Sequence, residues 1–303
     1  MDAKLDKYEF CVLCAKLEEM RAITSVFDEC FDQAPGHRRT DVVYKVPSED
    51  DLFLKVAMCP GMGDMNAAVR TTQIITLSQP TFIIFVGTAA SLRPKHLQVG
   101  DVVVPNNAIN RIYEKVTEEG RSDYDRLSGR KDFREQFFGA NALIANSQTM
   151  PCSPDALGAL SRVQADRLVL DSPLGKTFQL GSEEFEIREP KLHDDVSIFS
   201  CGMVIDSVSY RDFIADLMDI VMRKVHAIDM ESFGFFKSID AVQRTPVGAA
   251  SQGLMIRGIS DYAGRKDETE ARPDDWRGIA VKNAAIVAAQ VILELAKLSK
   301  PSI

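Results

Sequence analysis

Short, continuously apolar runs recur along this chain between longer segments that carry apolar residues at helical spacing, and this alternation is the strongest constraint on its fold. The runs are Glu9 to Cys14, Val42 to Val46, Leu52 to Met58, Thr81 to Val86, Asp101 to Pro105, Val196 to Cys201, Val225 to Asp229 and Gly253 to Ile259. Most lack the in-out alternation of a half-solvated sheet, as strands covered on both faces do. Between them, Leu17 to Phe31, Asp64 to Ser78, Ser207 to Arg223, Met230 to Ser238 and Trp276 to Leu298 read as helices. The last has the clearest apolar face, formed by Ile279, Ala280, Ala284, Val287, Ala288, Val291, Ile292 and Leu295. The pattern predicts an α/β fold with a mixed, mainly parallel central sheet flanked by helices.

With 303 residues, 45% of them hydrophobic, the chain can fill one large core, and a single domain over 1–303 is the expectation. Residues 106–195 are charged, punctuated by glycine and proline, and only weakly periodic, around Gln136 to Asn146 and Asp155 to Ala165. They read as an inserted elaboration: a solvated decoration, or a lid or partner surface.

The formal charge of −8 supplies no field that would draw the protein to nucleic acid or anionic lipid. The N-terminal segment lacks the features of a secretory signal, and FIIFVGTAASL is too short to cross a bilayer. No membrane partner is expected. The six cysteines are scattered, so a reducing cytoplasm is the simplest compartment. Cys11 and Cys14 form a lone C-x-x-C inside an apolar run and read as packed thiols. The four histidines show no metal-ligand spacing, and no spacing implies a metal or redox cofactor.

Four motifs fall at strand ends, where open α/β sheets bind ligands. Pro60-Gly61-Met62-Gly63-Asp64 is a glycine turn between a strand and a helix, but not a dinucleotide fingerprint. Phe85-Val86-Gly87-Thr88-Ala89-Ala90-Ser91-Leu92, followed by Val99-Gly100-Asp101-Val102-Val103-Val104, offers small residues and a hydroxyl: a ligand floor, or simply a tight turn. In Ile228-Asp229-Met230-Glu231-Ser232, a carboxylate can accept hydrogen bonds from a vicinal diol beside a soft thioether, although an acid there also suits the helix dipole. In Ile256-Arg257-Gly258-Ile259-Ser260-Asp261, the arginine and aspartate share a strand face and can reach one crevice; Asp261 can equally be a cap.

In this order the four motifs resemble the purine/uridine phosphorylase superfamily, and most closely its methylthioadenosine/S-adenosylhomocysteine nucleosidase branch. The resemblance implies a nucleoside phosphorylase-like fold, its sheet partly closed into a barrel, that cleaves the bond between a nucleobase and ribose. It further implies that Glu231 holds the ribose hydroxyls, Met230 packs beneath the sugar, and Asp261, oriented by Ser260, protonates the departing purine. Val204 or Ile205 would face the base where the family has an aromatic residue.

The phosphorolytic members carry an arginine where this chain has Phe85. The hydrolytic branch has a water-activating glutamate matching Glu19, aided by an arginine matching Arg257 and a hydroxyl matching Thr88, with Glu18 the alternative if the register slips. An acid repels phosphate and suits a general base, so hydrolysis of a purine nucleoside or nucleotide is the favoured expectation. A phosphate-dependent phosphorylase and a non-catalytic nucleoside sensor are the rivals. The basic residues Arg111, Lys115, Arg121, Arg126, Arg130, Lys131 and Arg134 raise the possibility of a 5′-phosphate on the substrate. Family members are dimers or larger, so a homodimer or higher homo-oligomer is expected, with Phe133, Phe137 and Phe138 available for contact or for a local core.

Overall fold

Strand β5, Phe82–Ser91, is the axis about which the other elements are arranged. The computed structural model describes residues 9–34, 41–47, 52–111, 147–163, 168–175, 177–180, 183–245, 251–266, 272 and 274–298. In chain order these form β1 (Phe10–Cys14), α1 (Leu17–Cys30), β2 (Asp32–Gln33), β3 (Asp41–Val46), β4 (Leu52–Met58), α2 (Asp64–Ser78), β5, β6 (Val102–Val103), β7 (Asn107–Arg111) and β8 (Ser147–Pro151). There follow α3 (Pro154–Leu160), β9 (Thr177–Leu180), β10 (Glu183–Glu186), β11 (Leu192–His193), β12 (Ser197–Ser200), α4 (Val208–Val221), β13 (Val225–Asp229), α5 (Ser232–Gln243), β14 (Gln252–Asp261) and α6 (Trp276–Leu298).

Twelve strands make one mixed sheet, with the path β2-β3-β4-β1-β5-β13-β12-β7-β8. It branches at β5, whose other neighbour β14 leads on to β6 and β11. β1 and β14 run parallel to β5, with Phe10 and Gln252 both opposite Phe82, whereas β13 pairs antiparallel with its far end, Ile228 opposite Ala90. The sheet therefore opens where β5, β13 and β14 finish. Among the described residues, no pairing joins the two ends of the main path.

The segment Gly87 to Ser91, read from sequence as strand end or turn, continues β5, because β14 and β13 satisfy its backbone groups in turn. Asp101 to Pro105 shortens to the two-residue β6. Part of the weakly periodic stretch is sheet, since β7, β8 and β11 all join it. The region around Gln136 to Asn146, the insertion's phenylalanines and most of its basic residues lie outside the described residues.

Helix α6 is long and apolar enough to match a membrane span, yet 67% of that apolar window is buried within the fold. It lies directly on the β14 backbone: a β-carbon on Gly258 would come within 1.8 Å of the Ala280 carbonyl oxygen. Gly234 plays the same part between α5 and α2, where an added β-carbon would meet the Asp64 carbonyl oxygen at 2.1 Å. Cys11 and Cys14 are buried on β1, and burial pushes the Cys11 thiol up to about 12, which leaves it an inert packing group at neutral pH.

Candidate active site

The N-terminal turn of α1 delivers Glu19 to the open end of the sheet. As its third residue, Glu19 folds back on the helix start, Oε2 accepting from the backbone N–H of Ala15 at 2.9 Å and of Lys16 at 3.1 Å. Oε1 accepts from the Thr88 N–H at 3.3 Å and the Thr88 hydroxyl at 3.5 Å. This pins Glu19 inward, 3% exposed, while Glu18 faces solvent.

Arg257 projects from β14 and is completely buried. Its Nε donates to Asp229 at 3.0 Å, and Nη2 contacts both Asp229 at 2.7 Å and Glu231 at 3.0 Å. The guanidinium carbon lies 4.7 Å from the centre of the Phe85 ring. Burial works against the charge, but Asp229, Glu231 and Glu19 outweigh it and raise the pKa above its ordinary value. Nη1 has no hydrogen-bond partner. It lies against Gly87, where an added β-carbon would stand 2.2 Å from Nη1 and 3.1 Å from Glu19 Oε1. The glycine thus leaves room for an arginine donor and a carboxylate acceptor to meet beside one backbone.

Glu231, the N-cap of α5, accepts from the Gly63 N–H at 2.9 Å on the oxygen that Arg257 does not use. Burial raises its pKa despite Arg257, with Asp229 adding to the rise. Asp229 holds the α5 N-terminus, accepting from the Ser232 N–H at 3.2 Å and its hydroxyl at 2.7 Å. Asp64 accepts from the next free helix donor, Gly234 N–H, at 2.8 Å, and from Ser200 and Asn110. These neighbours cap the helix, so Glu231 is left to face the crevice.

A register shift on β14 between Ile259 and Asp261 turns the strand at its end. Both Ser260 and Asp261 consequently reach the cavity. The Ser260 hydroxyl donates to Asp261 at 2.9 Å, and Asp261 also accepts from the Ala263 N–H at 3.0 Å. Ala263 is left-handed, with φ of 53°, a conformation this loop imposes on a residue with a β-carbon.

The resulting cavity has a volume of about 250 Å³, and Glu19, Thr88, Met230, Glu231, Ser260 and Asp261 line it, with Val204 and Ile205 at one wall. Ile205 is 7% exposed and Val204 57%, so Ile205 forms the fixed surface and Val204 the rim. Arg257 is the exception to the sequence expectation: it sits behind the carboxylates rather than sharing the crevice with Asp261. Sequence reasoning missed Asp229, Gly63 and Gly87 as site-forming residues, although all three lie inside the motifs it singled out.

Small polar groups and paired carboxylates thus gather where β5, β13 and β14 end, the part of an α/β sheet where ligands bind. A family model described as the phosphorylase superfamily matches residues 9–293, and the chain belongs to that family. Among curated proteins, ATP nucleosidase Cap17 from Escherichia coli (strain KTE188) is 23% identical over 286 residues, covering 93% of this chain and 50% of the relative. A 5′-methylthioadenosine/S-adenosylhomocysteine nucleosidase from Marinomonas sp. (strain MWYL1) is 38% identical over 55 residues, 18% of this chain and 23% of that protein. The chain thus spans about half the length of Cap17. Among solved structures, futalosine hydrolase of Helicobacter pylori superposes with a TM-score of 0.60 at 16% identity, covering 94% of this chain and 97% of that one. The Neisseria meningitidis 5′-methylthioadenosine/S-adenosylhomocysteine nucleosidase bound to methylthio-immucillin-A gives 0.60 at 19%, covering 94% and 98%. These likenesses establish the mixed α/β nucleoside phosphorylase-like fold.

Proposed function

We infer that the protein hydrolyses the N-glycosidic bond of a purine nucleoside core. The observation that carries this reading is the Glu19 carboxylate held against Thr88 in a cavity that Glu231, Ser260 and Asp261 also line. A water molecule taken up there would be oriented by the Thr88 hydroxyl and lose its proton to Glu19 as its oxygen bonds to the anomeric carbon. The C1′–N9 electron pair leaves with the base, which takes a proton from Asp261. Proton transfer from Glu19 through solvent then restores both carboxyl groups. Glu231 accepts hydrogen bonds from the ribose diol and opposes the positive charge that builds on the oxocarbenium-like sugar. Met230 supports the ring, and Ile205 with Val204 lies against the base.

The relatives named as nucleosidases and a hydrolase favour water over phosphate as acceptor. The test is release of free purine from adenosine-type substrates with and without inorganic phosphate. Release without phosphate is expected, and release that requires phosphate overturns the hydrolytic reading.

A homodimer goes with this reading. Met65 is 80% exposed and Val69 47% on α2, with Met62 at the cavity mouth, and a second copy would cover them. The thiols of Cys11, Cys14, Cys59, Cys152 and Cys201, free and buried, fit a reducing cytoplasm.

A further inference from the structure

Asp261, the last residue of β14, is held by the peptide group that joins the two residues after it. The N–H of that peptide, on Ala263, donates to Asp261 Oδ1 at 3.0 Å. Its carbonyl, on Tyr262, accepts from Nη1 of Arg211 in α4 at 3.3 Å. A trans peptide is planar with its N–H and C=O opposed, so whatever fixes the carbonyl also fixes the direction of the N–H. Arg211 and Asp261, far apart in sequence, thus grip one rigid unit from its two ends.

Arg211 is 2% exposed, and a charge so enclosed is costly unless its donors are met. Nε and Nη2 both reach Asp212 Oδ1 at 2.8 Å, which leaves Nη1 for the Tyr262 carbonyl. A cationic donor on that carbonyl polarises the peptide and strengthens the N–H bond to Asp261 at its other end. Two further contacts keep this loop on the start of α4. Gly264 lies so close that an added β-carbon would stand 3.0 Å from the Val208 backbone nitrogen, and the Lys266 N–H donates to Asp206 at 2.8 Å. Ala263 holds its left-handed φ of 53° between these ties. With the Ser260 hydroxyl on Oδ2 at 2.9 Å, both carboxyl oxygens of Asp261 are oriented, although Arg211 itself is not a lining residue of the cavity. Val204 and Ile205 lead directly into α4, so the wall proposed for the base and the arm that holds the acid belong to one segment.

We propose that Arg211 is a positioning residue for Asp261: through the Tyr262–Ala263 peptide it aims the carboxyl group at the departing base and braces it as its proton leaves. This rests on the glycosidic reading above for the role of Asp261.

The experiment is a double-mutant cycle of R211M and D261N, with R211K as the conservative variant. Base release is followed for whichever of adenosine, 5′-methylthioadenosine and ATP the full chain cleaves fastest. In the parent background R211M should lower kcat by about 10–100-fold with KM held within about twofold, and R211K, which keeps a cationic donor, should recover much of the rate. In the D261N background, where no acid remains to be aimed, R211M should cost no more than about twofold. Equal losses in both backgrounds, or a loss carried by KM alone, overturn the proposal. Amide hydrogen exchange followed by nuclear magnetic resonance reads the peptide directly and decides the matter where D261N releases too little base to measure. The Ala263 N–H should exchange faster in R211M while the amides of β14 keep their protection, and an Ala263 amide as protected as in the parent overturns the proposal. If R211M does not fold, R211Q takes its place in both measurements. If no substrate yields base, the glycosidic reading fails by itself, and the exchange of Ala263 still decides whether Arg211 holds the peptide against Asp261.

Discussion

At the scale of single residues, the site turns on how little space separates opposite charges around Gly87. Arg257 is fully enclosed and neutralised by Asp229 and Glu231, so its Nη1 is fixed in direction, and Glu19 is fixed by four donors from two elements. Glu19→Gln keeps much of that hydrogen bonding but cannot take a proton. We expect kcat to fall by about 10²–10⁴-fold with KM changed much less, measured by steady-state base release. Gly87→Ala puts a methyl group where Arg257 Nη1 lies. It should displace the guanidinium, lower kcat at least as severely as a typical lost positioning contact, and cost about 1–3 kcal/mol of stability in urea unfolding. The placing of Glu231 and Asp261 at the cavity was legible from residue types at strand ends. That Arg257 stands behind the crevice was not, because strand periodicity gives the face of a side chain but not what packs in front of it.

At the scale of elements, buried acids join segments far apart in sequence. Asp101, after β5, accepts from Arg188 at 2.6 and 2.8 Å, from the Gln98 and Lys191 N–H groups, and contacts His193. Burial alone would raise its pKa, but the bonds from His193, Arg188 and Gln98 prevail and hold it below the ordinary 3.8. A carboxyl group lowered on folding contributes stability that is complete above its unfolded pKa and is lost as pH falls through the folded one. Urea unfolding as a function of pH should therefore show a loss below about pH 4 that flattens in Asp101→Asn, with the variant less stable at neutral pH by about 2–3 kcal/mol. The contact of α6 with β14 is as exacting. Gly258→Ala forces the helix off the strand, and an expected destabilisation of about 1–3 kcal/mol should appear as a lowered urea midpoint at constant m-value. The sequence marked Trp276 to Leu298 as a helix with matching ends, since its apolar spacing is a local property. It did not mark Gly87 to Ser91 as strand, since those small residues become strand through the partners supplied by β13 and β14.

For the molecule as a whole, the branch of the sheet at β5 brings α1, β5, β14 and the α5 N-terminus to one end, and the cavity follows from that divergence. If α2 meets a second copy, Met65→Glu combined with Val69→Glu should shift the sedimentation coefficient from dimer to monomer while the secondary structure seen by circular dichroism stays as in the parent. An unshifted coefficient removes α2 from the interface.

The order of apolar runs and helical periods determined by itself that this chain forms a covered mixed sheet, and the motifs at the strand ends marked where ligand chemistry is concentrated. Those are consequences of local patterning, which each segment carries with it. Tertiary structure alone decided that Glu19 rather than Glu18 turns inward, that Arg257 is sealed behind two carboxylates, and that Arg211 and Asp261 meet across one peptide group. Such facts depend on which segments meet in space, and residues drawn from distant parts of a chain leave no periodic trace of their encounter.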